Sequence, residues 1–425
     1  MRIVIATASL CKGRGGSERA AVQLAHEMLH RGHSVFLYAY APPGIPAYPV
    51  EPEVQCRFFP LSLGEHTHIE EVRRTLRQDD IDVFVSFQST WAHMVWALCC
   101  LGTGVPFICS ERSDPLYSQA VTWNKPGRYA TLYGADAIHE LLSAHAESVP
   151  ADLSERIHVI PNAVERRTRT ADLAPGEGRL TILFLGRYIG IKRADLLLKA
   201  FDLLAADFPR WDLRLVGHGR EQEHLEAIAK SLPSACRIRI DGATEHPEND
   251  FLGAQIYCLP TAVEGFPNTV LEAMSCGLPI VGIRDCPAMR SIIDSGRTGI
   301  LAEAPTPEAL AAALRPLMAD EELRVRMGGN ALEEVRLRYD ASHVFSQWEQ
   351  LLLSTAASKG HTVMDRFAEE PFASRARLSS VARREWLYRD FGEPMPYSCS
   401  WFRVRCRTLA GNLWKCLLEK CGGIK

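Results

Sequence analysis

Two successive Rossmann-like parallel sheets facing a central cleft, followed by a mainly helical C-terminal extension, form the α/β architecture this 425-residue sequence predicts. Three observations carry it. Short apolar runs alternate with helical stretches through the first 160 or so residues. A polar, breaker-rich segment then interrupts the pattern, and the same alternation restarts beyond it. Strands that read as near-continuous apolar runs belong to sheets covered by helices on both faces.

The first run, residues 2–8, is followed by a glycine-rich turn and by helical spacing through Ala20, Ala21, Leu24, Ala25, Met28 and Leu29. Ser34–Tyr40 is strand-like again, which completes a strand–helix–strand unit. Further runs stand at Val54–Phe59, Ile81–Phe87, Pro106–Cys109, Ala135–Ile138 and Ile157–Ile160. Residues 1–165 therefore read as one domain, and 166–179, charged and rich in breakers, as a linker. The second domain, 180–356, opens with Leu180–Leu185 and continues through Leu213–Val216, Arg237–Ile240, Ile256–Leu259, Ile280–Ile283 and Thr298–Leu301. From 307 to 356 the pattern is helical. Residues 357–425 form an extension of different style, with Met395-Pro396-Tyr397 and then a run from Trp401 to Lys420 that mixes Arg403, Arg405, Arg407 and Lys415 with apolar residues. A basic amphipathic helix on a membrane surface is one reading of that run, and a helix packed on the body is the other.

Composition limits the function classes. Apolar residues make up 47% and charged residues 23%, as in ordinary soluble proteins, and a net charge of -3 gives no global attraction to nucleic acid. The thirteen cysteines show no C-x-x-C pair, and several sit in apolar runs (Cys99, Cys100, Cys258), so reduced structural thiols in the cytoplasm are expected. The N-terminal run Ile3–Ala6 is short and leads into a basic glycine-rich loop, which reads as a first strand and not as a leader. No run reaches the roughly 18 apolar residues of a spanning helix.

The strongest chemical signal is Glu264-Gly265-Phe266-Pro267-Asn268-Thr269-Val-Leu-Glu272, after which come Gly277 and Pro279. It follows an apolar strand, so both acids stand beyond a carboxyl edge, where open α/β sheets bind ligands. Asn268 is a candidate N-cap for a short helix that Gly277 would stop. The free N–H groups at such a helix start suit a phosphate, and a carboxylate beside them can accept ribose hydroxyls. A capping box with a solvated glutamate would explain Glu272 alone, but not the Gly, Phe, Pro and Asn set between two acids. A second signal, Gly186-Arg187-x-x-x-x-Lys192, follows Leu180–Leu185 directly and offers two cations to a diphosphate. A third, Gly13-Arg14-Gly15-Gly16-Ser17-Glu18, lets the backbone approach a phosphate or sugar. It lacks the third glycine of a dinucleotide fingerprint, and Tyr38-Ala39-Tyr40 stands where that fingerprint needs an acid, so ordinary NAD binding is not expected.

Together these motifs resemble glycosyltransferase family 4, the retaining transferases of GT-B fold. Glu264 and Glu272 match its E-x7-E pair, Arg187 and Lys192 its phosphate-binding cations, and Gly15-Gly16-x-Glu18 its N-terminal loop. Leu215-Val216-Gly217-His218-Gly219 and Pro161-Asn162-Ala163-Val164 match two further segments, so that the resemblance covers residues 1–355. It implies a nucleotide-sugar donor, UDP- or GDP-linked, as substrate and no separate cofactor. By position, Glu264 would hold donor-sugar hydroxyls, Glu272 the ribose, and Arg187 and Lys192 the departing diphosphate. The backbone of Phe266–Thr269, with Gly265, would complete the sugar and phosphate contacts, with Gly217 nearby and the turn at Asp241-Gly242 near the base. The acceptor, a glycan or lipid-linked glycan, would bind the first domain.

This chain departs from the family at three places. Arg193 follows Lys192 where glycine is frequent, Ala163 stands in the usual Pro-Asn-Gly segment, and Glu111 stands where many relatives have a histidine. Glu111 could orient the acceptor hydroxyl or support developing positive charge, or it could pair with Arg112. Asp80-Ile-Asp82 has the look of a metal motif but precedes its strand, at the wrong sheet edge, so no metal is assigned. Two other classes stay open on the sequence: a sugar-nucleotide epimerase of the same fold, and a non-catalytic scaffold subunit of a transferase complex.

Overall fold

A computed structural model describes residues 1–11, 15–44, 46–61, 66–88, 92–121 and 125–365. The basic run at 401–420 lies outside these residues, as do Gly13 and Arg14 of the first glycine-rich loop.

Every strand expected from the apolar runs is present. The first sheet holds β1 (Arg2–Thr7), β2 (Ser34–Ala39), β3 (Gln55–Phe58), β4 (Val83–Gln88), β5 (Phe107–Glu111), β6 (Ala137–Glu140) and β7 (Ile157–Val159), in the order β3-β2-β1-β4-β5-β6-β7. The second holds β8 (Leu180–Leu185), β9 (Trp211–Val216), β10 (Ile238–Asp241), β11 (Ile256–Cys258), β12 (Ile280–Ile283) and β13 (Gly299–Ala302), in the order β10-β9-β8-β11-β12-β13. All pairings are parallel, from Arg2 opposite Ser34 in the first sheet to Leu180 opposite Trp211 in the second. Both orders turn back on themselves beside the first strand of the sheet. That reversal is the switch point beyond which doubly wound sheets open a crevice at the carboxyl ends of the strands.

The chain divides into two compact units, Met1–Leu141 with His145–Ile160 and the residues from Gln347 onward, and Leu142–Ala144 with Pro161–Ser346. The second unit thus ends at Ser346, ten residues short of the expected 356. The last helix, Ala341–Ala356, carries Trp348, whose indole lies 4.3 Å from the His139 ring and 5.3 Å from the Phe87 ring, both in the first unit. One fully buried aromatic contributes roughly 1.5–3 kcal/mol, enough to bring the end of a helix with it. Residues 357–365 follow it there: Lys359 bonds Asp80 (2.7 Å) and Asp82 (2.8 Å), and the Val363 N–H bonds Asp136 (2.8 Å). The acids of the metal-like Asp80-Ile-Asp82 therefore clamp an ammonium at the amino end of β4.

The stretch read as a linker is fastened to the second unit. The Ala171 N–H donates to the Cys276 carbonyl (2.8 Å), Gln255 donates to the Asp172 carbonyl (2.9 Å), and Leu173 is buried, its carbonyl accepting from Arg324. Polar composition reported its surface position but not its backbone partners. In the first unit Tyr38, Phe84, Trp96 and Phe107 build one face of the core, with ring centroids 5.5–6.4 Å apart. Among the described residues no helix is long and apolar enough to cross a membrane.

Candidate functional site

The sequence motifs of the second unit gather at one edge. Gly242 follows β10, Gly217 follows β9, Arg187 and Lys192 follow β8, and Glu264 to Glu272 follow β11, so the loops leave four adjoining strands on the carboxyl side.

The loop after β8 is held from beneath. Tyr188 is fully buried and donates its hydroxyl to the Asp241 carbonyl (2.8 Å), while its backbone N–H donates to the His218 carbonyl (2.8 Å). A Cβ at Gly217 would overlap the Gly186 carbonyl, and one at Gly219 would overlap the backbone of Tyr188. The two glycines of the Gly-His-Gly segment therefore let the loop after β9 lie flat against the loop after β8. The Gly217 N–H is shared between the carbonyls of Asp241 (3.3 Å) and Gly242 (3.2 Å), which adds the loop after β10 to the same layer.

On the other side, the Ile191 carbonyl accepts from the Ala262 N–H (2.8 Å) and the Thr261 hydroxyl (3.2 Å). This stitches the β8 and β11 loops together and brings the Lys192 ammonium onto the Glu264 carboxylate. Both side chains are largely sheltered, at 14% and 11% exposure. Arg187 projects into solvent, and among the described residues its guanidinium has no hydrogen-bond or ion-pair partner.

The helix Asn268–Ser275 begins one residue earlier than a cap at Asn268 would require. Pro267 occupies the cap position, and the Asn268 side chain instead accepts from the amide of Asn162 (2.6 Å). The Pro-Asn segment and the glutamate motif are thereby joined, a link that no reading of either segment alone would supply. The N–H groups of Asn268 and Val270 are already taken by the carbonyls of Phe266 (3.0 Å) and Pro267 (2.9 Å), which reduces the donors this turn offers a ligand. Thr269 lies 2.7 Å from the Tyr257 hydroxyl, which also reaches the Leu185 carbonyl at 3.0 Å. Burial pushes the Tyr257 hydroxyl well above its ordinary pKa, so it remains a donor. Phe266 packs edge-on against Tyr339 with centroids 6.0 Å apart, and Glu272 is 7% exposed on the first turns of the helix. Gly277 ends the helix with φ 75°, and the Leu278 N–H closes back on the Ala273 carbonyl (3.1 Å).

Arg193 shows why glycine is frequent at its position. It adopts φ 50°, ψ 39°, the left-handed conformation that starts the helix Ala194–Ala205, and its guanidinium bonds Asp285 (2.8 Å) beyond β12.

In the first unit, Gly15 and Gly16 open the helix Gly16–His30 beyond β1. A Cβ at residue 15 would overlap the Glu18 carboxylate, so the Gly-Gly-x-Glu motif includes a side chain folded over its own first glycine. Pairing with Arg112 is one of the roles the sequence leaves open for Glu111. Its partner is Arg128, not Arg112: the Arg128 Nε donates to Oε1 (2.8 Å) and its Nη2 to Oε2 (2.6 Å). Arg112 lies over the Phe87 ring at 4.3 Å. With Glu111 only 3% exposed and both oxygens engaged, it is no open base. Arg128 sits seventeen residues downstream, and nothing in the local sequence announced it.

The layered loops, the Lys192–Glu264 pair and the sheltered Glu272 stand together at one carboxyl edge, and comparison with known proteins gives the family. Residues 14–167 match Glycosyltransferase Family 4 and residues 165–334 match Glycosyl transferases group 1. The chain belongs to the family 4 glycosyltransferases and has their two Rossmann-like sheets. It is 26% identical over 355 residues to an uncharacterised glycosyltransferase of Haemophilus influenzae, covering 80% of this chain and 96% of that protein. It is 25% identical to the Campylobacter jejuni α-1,4-N-acetyl-D-galactosaminyltransferase named for a GalNAc-extended diNAcBac-PP-undecaprenol, over 80% of this chain and 95% of that one. Among solved structures, HepE of Anabaena with UDP-glucose superposes with a TM-score of 0.68 at 16% identity, covering 83% of this chain and all of the other.

Proposed function

We propose that the protein moves a hexosyl unit from a UDP- or GDP-linked sugar to a hydroxyl of a glycan or lipid-linked acceptor, with the anomeric configuration retained and without a metal. One observation carries this reading: Lys192 and Glu264 are paired across two stitched loops, and Arg187 on the loop after β8 is engaged by no other side chain among the described residues. A cation held by a carboxylate at a carboxyl edge is poised to exchange that partner for a diphosphate. On loading, the diphosphate takes the Lys192 ammonium, and the Glu264 carboxylate is released to accept sugar hydroxyls. Arg187 closes on the phosphates from solvent, and Glu272 accepts the ribose hydroxyls. As the sugar–oxygen bond breaks, charge builds on the departing diphosphate, and both cations stabilise it more strongly than in the ground state. The acceptor hydroxyl attacks from the face the nucleotide leaves.

The related galactosaminyltransferase, by its name, acts on an undecaprenol-linked glycan. This supports a lipid-linked acceptor, and with it peripheral work at the cytoplasmic face of a membrane. Thermal stabilisation by UDP, GDP and their sugar conjugates tests the donor site. A ligand at a hundredfold its Kd adds about 2.7 kcal/mol. We expect one nucleotide family to raise Tm and Glu272→Ala to abolish the rise. No response to any nucleotide would overturn the reading. Release of free nucleotide only when acceptor is added separates a transferase from an epimerase, and binding without turnover would indicate a scaffold.

A further inference from the structure

The carboxyl edge of the first unit holds a group that the transfer chemistry above does not use. Gln88, Glu111 and Glu140 end three adjacent strands. Gln88 pairs in register with Glu111, and Glu140 stands one residue past the Ser110–His139 pair, so the three side chains share one face in a row. Exposure is 3%, 3% and 0% along it. Arg128 reaches this face from the helix Lys125–Gly134, where the Ser148 carbonyl (3.0 Å) and hydroxyl (2.8 Å) fix its guanidinium. It grips Glu111 with two hydrogen bonds and comes no nearer than 3.8 Å to Glu140.

The charges do not balance. Two carboxyl groups face one guanidinium in a buried setting, and among the described residues no N–H or O–H reaches either oxygen of Glu140. Among the described residues, the other groups facing the pair supply no cation. His93, whose Nδ1 is 2.9 Å from the Ser86 hydroxyl, is held neutral by burial, with a pKa of about 4. Burial lowers His145 as well, although Asp114 lies 4.0 Å away, and it raises the Cys109 thiol, which stays protonated. Asp114 adds a further negative charge nearby. An ionised Glu140 would be an uncompensated buried charge, which costs several kcal/mol, whereas a protonated Glu140 can donate to Glu111. Two carboxyls at hydrogen-bonding distance share one proton for this reason.

We propose that Glu140 is a positioning residue that carries a proton at neutral pH, donates it in a hydrogen bond to Glu111, and thereby keeps the Glu111–Arg128 pair assembled at the acceptor-side edge. Removal of that proton by hydroxide places two negative charges side by side, pulls Arg128 between them and loosens the ends of β5 and β6. Burial and the neighbouring Glu111 charge both hold the Glu140 proton well above the ordinary carboxyl range, while Arg128 holds Glu111 below it. The sign follows. Folding raises the Glu140 pKa, so its contribution to stability is complete below the ordinary carboxyl value and is lost as pH climbs through the folded value.

The link to acceptor handling rests on the transferase reading, but the proton does not, and the test separates them. Infrared spectroscopy of the full chain at pH 7 should show the carbonyl stretch of a protonated carboxyl that Glu140→Gln lacks. Glu111→Gln should also remove it, because Glu140 then becomes the sole carboxylate facing Arg128. Glu140→Gln, which donates without titrating, should keep kcat/KM for acceptor within about threefold at pH 7 and flatten its alkaline fall. An infrared band unchanged in both variants overturns the proposal, and so does an alkaline fall unchanged in Glu140→Gln. Absence of any turnover in wild type would instead count against the transferase reading, with the band still reporting the proton.

Discussion

The two carboxyl edges of this molecule are built on the same parallel-sheet plan, yet they treat charge in opposite ways. In the second unit, Lys192 and Glu264 meet on loops beyond the strands, and Arg187, on the loop after β8, is exposed to solvent. In the first, Glu111 and Glu140 belong to the strands themselves, and Arg128 is drawn down onto them without exposure. A pair on loops can trade partners with an entering diphosphate, because the ligand replaces one desolvated partner with another. A pair inside the sheet has no such exchange available, and its surplus charge is resolved by a proton. Position relative to the strand end, more than residue type, decides which chemistry a carboxylate can offer.

The sharpest way to break this comparison is to remove each arginine. Arg128→Met leaves the Glu111 charge buried without its cation, and we expect a loss of about 3–5 kcal/mol in urea unfolding, most of it recovered when Glu111→Leu is added. Arg187→Ala should do the reverse. Its stability should stay within about 0.5 kcal/mol of wild type, since the side chain is exposed. Turnover should fall by about two orders of magnitude, since a donor to the developing charge is gone. Near-normal turnover in a folded Arg187→Ala protein would remove Arg187 from the chemistry. A mild Arg128→Met would mean that the first edge is less sealed than its hydrogen bonds indicate.

The same contrast explains what was legible in the sequence. Apolar runs located all thirteen strands, because a strand covered on both faces needs them throughout. The runs ended early at the site. Ile81–Phe87 stops before Gln88, Pro106–Cys109 before Ser110 and Glu111, and Ala135–Ile138 before His139 and Glu140. Hydrophobicity fails at the polar strand ends that line a carboxyl edge, so the sequence leaves the role of Glu111 open, with the adjacent Arg112 as one candidate partner. Three-dimensional register and the helix Lys125–Gly134 supply Arg128 and Glu140 instead. In the second unit the candidate groups lie on loops and a helix start at fixed spacing beyond the strands, and the motif itself named Arg187, Lys192, Glu264 and Glu272. What remained hidden there were the buttresses: Asn162 on Asn268, Tyr257 on Thr269, and Tyr188 beneath the loop.

Arg193 gives the smallest expected effect and the finest test of how the second edge is set. A left-handed residue other than glycine costs roughly 1–2 kcal/mol, so glycine at 193 relieves strain. Against that, glycine loses more backbone freedom on folding, by roughly 0.5–1 kcal/mol. It also gives up the ion pair with Asp285, whose side chains are 25% and 38% exposed and which contributes no more than about 1 kcal/mol. These contributions nearly cancel, and Arg193→Gly should shift stability by no more than about 0.5 kcal/mol. Arg193→Ala loses the ion pair and keeps the strain, so its urea midpoint should lie below that of Arg193→Gly. Since both variants lack the Asp285 pair, the reverse order would mean that the left-handed turn at residue 193 carries less strain than glycine's lost backbone freedom.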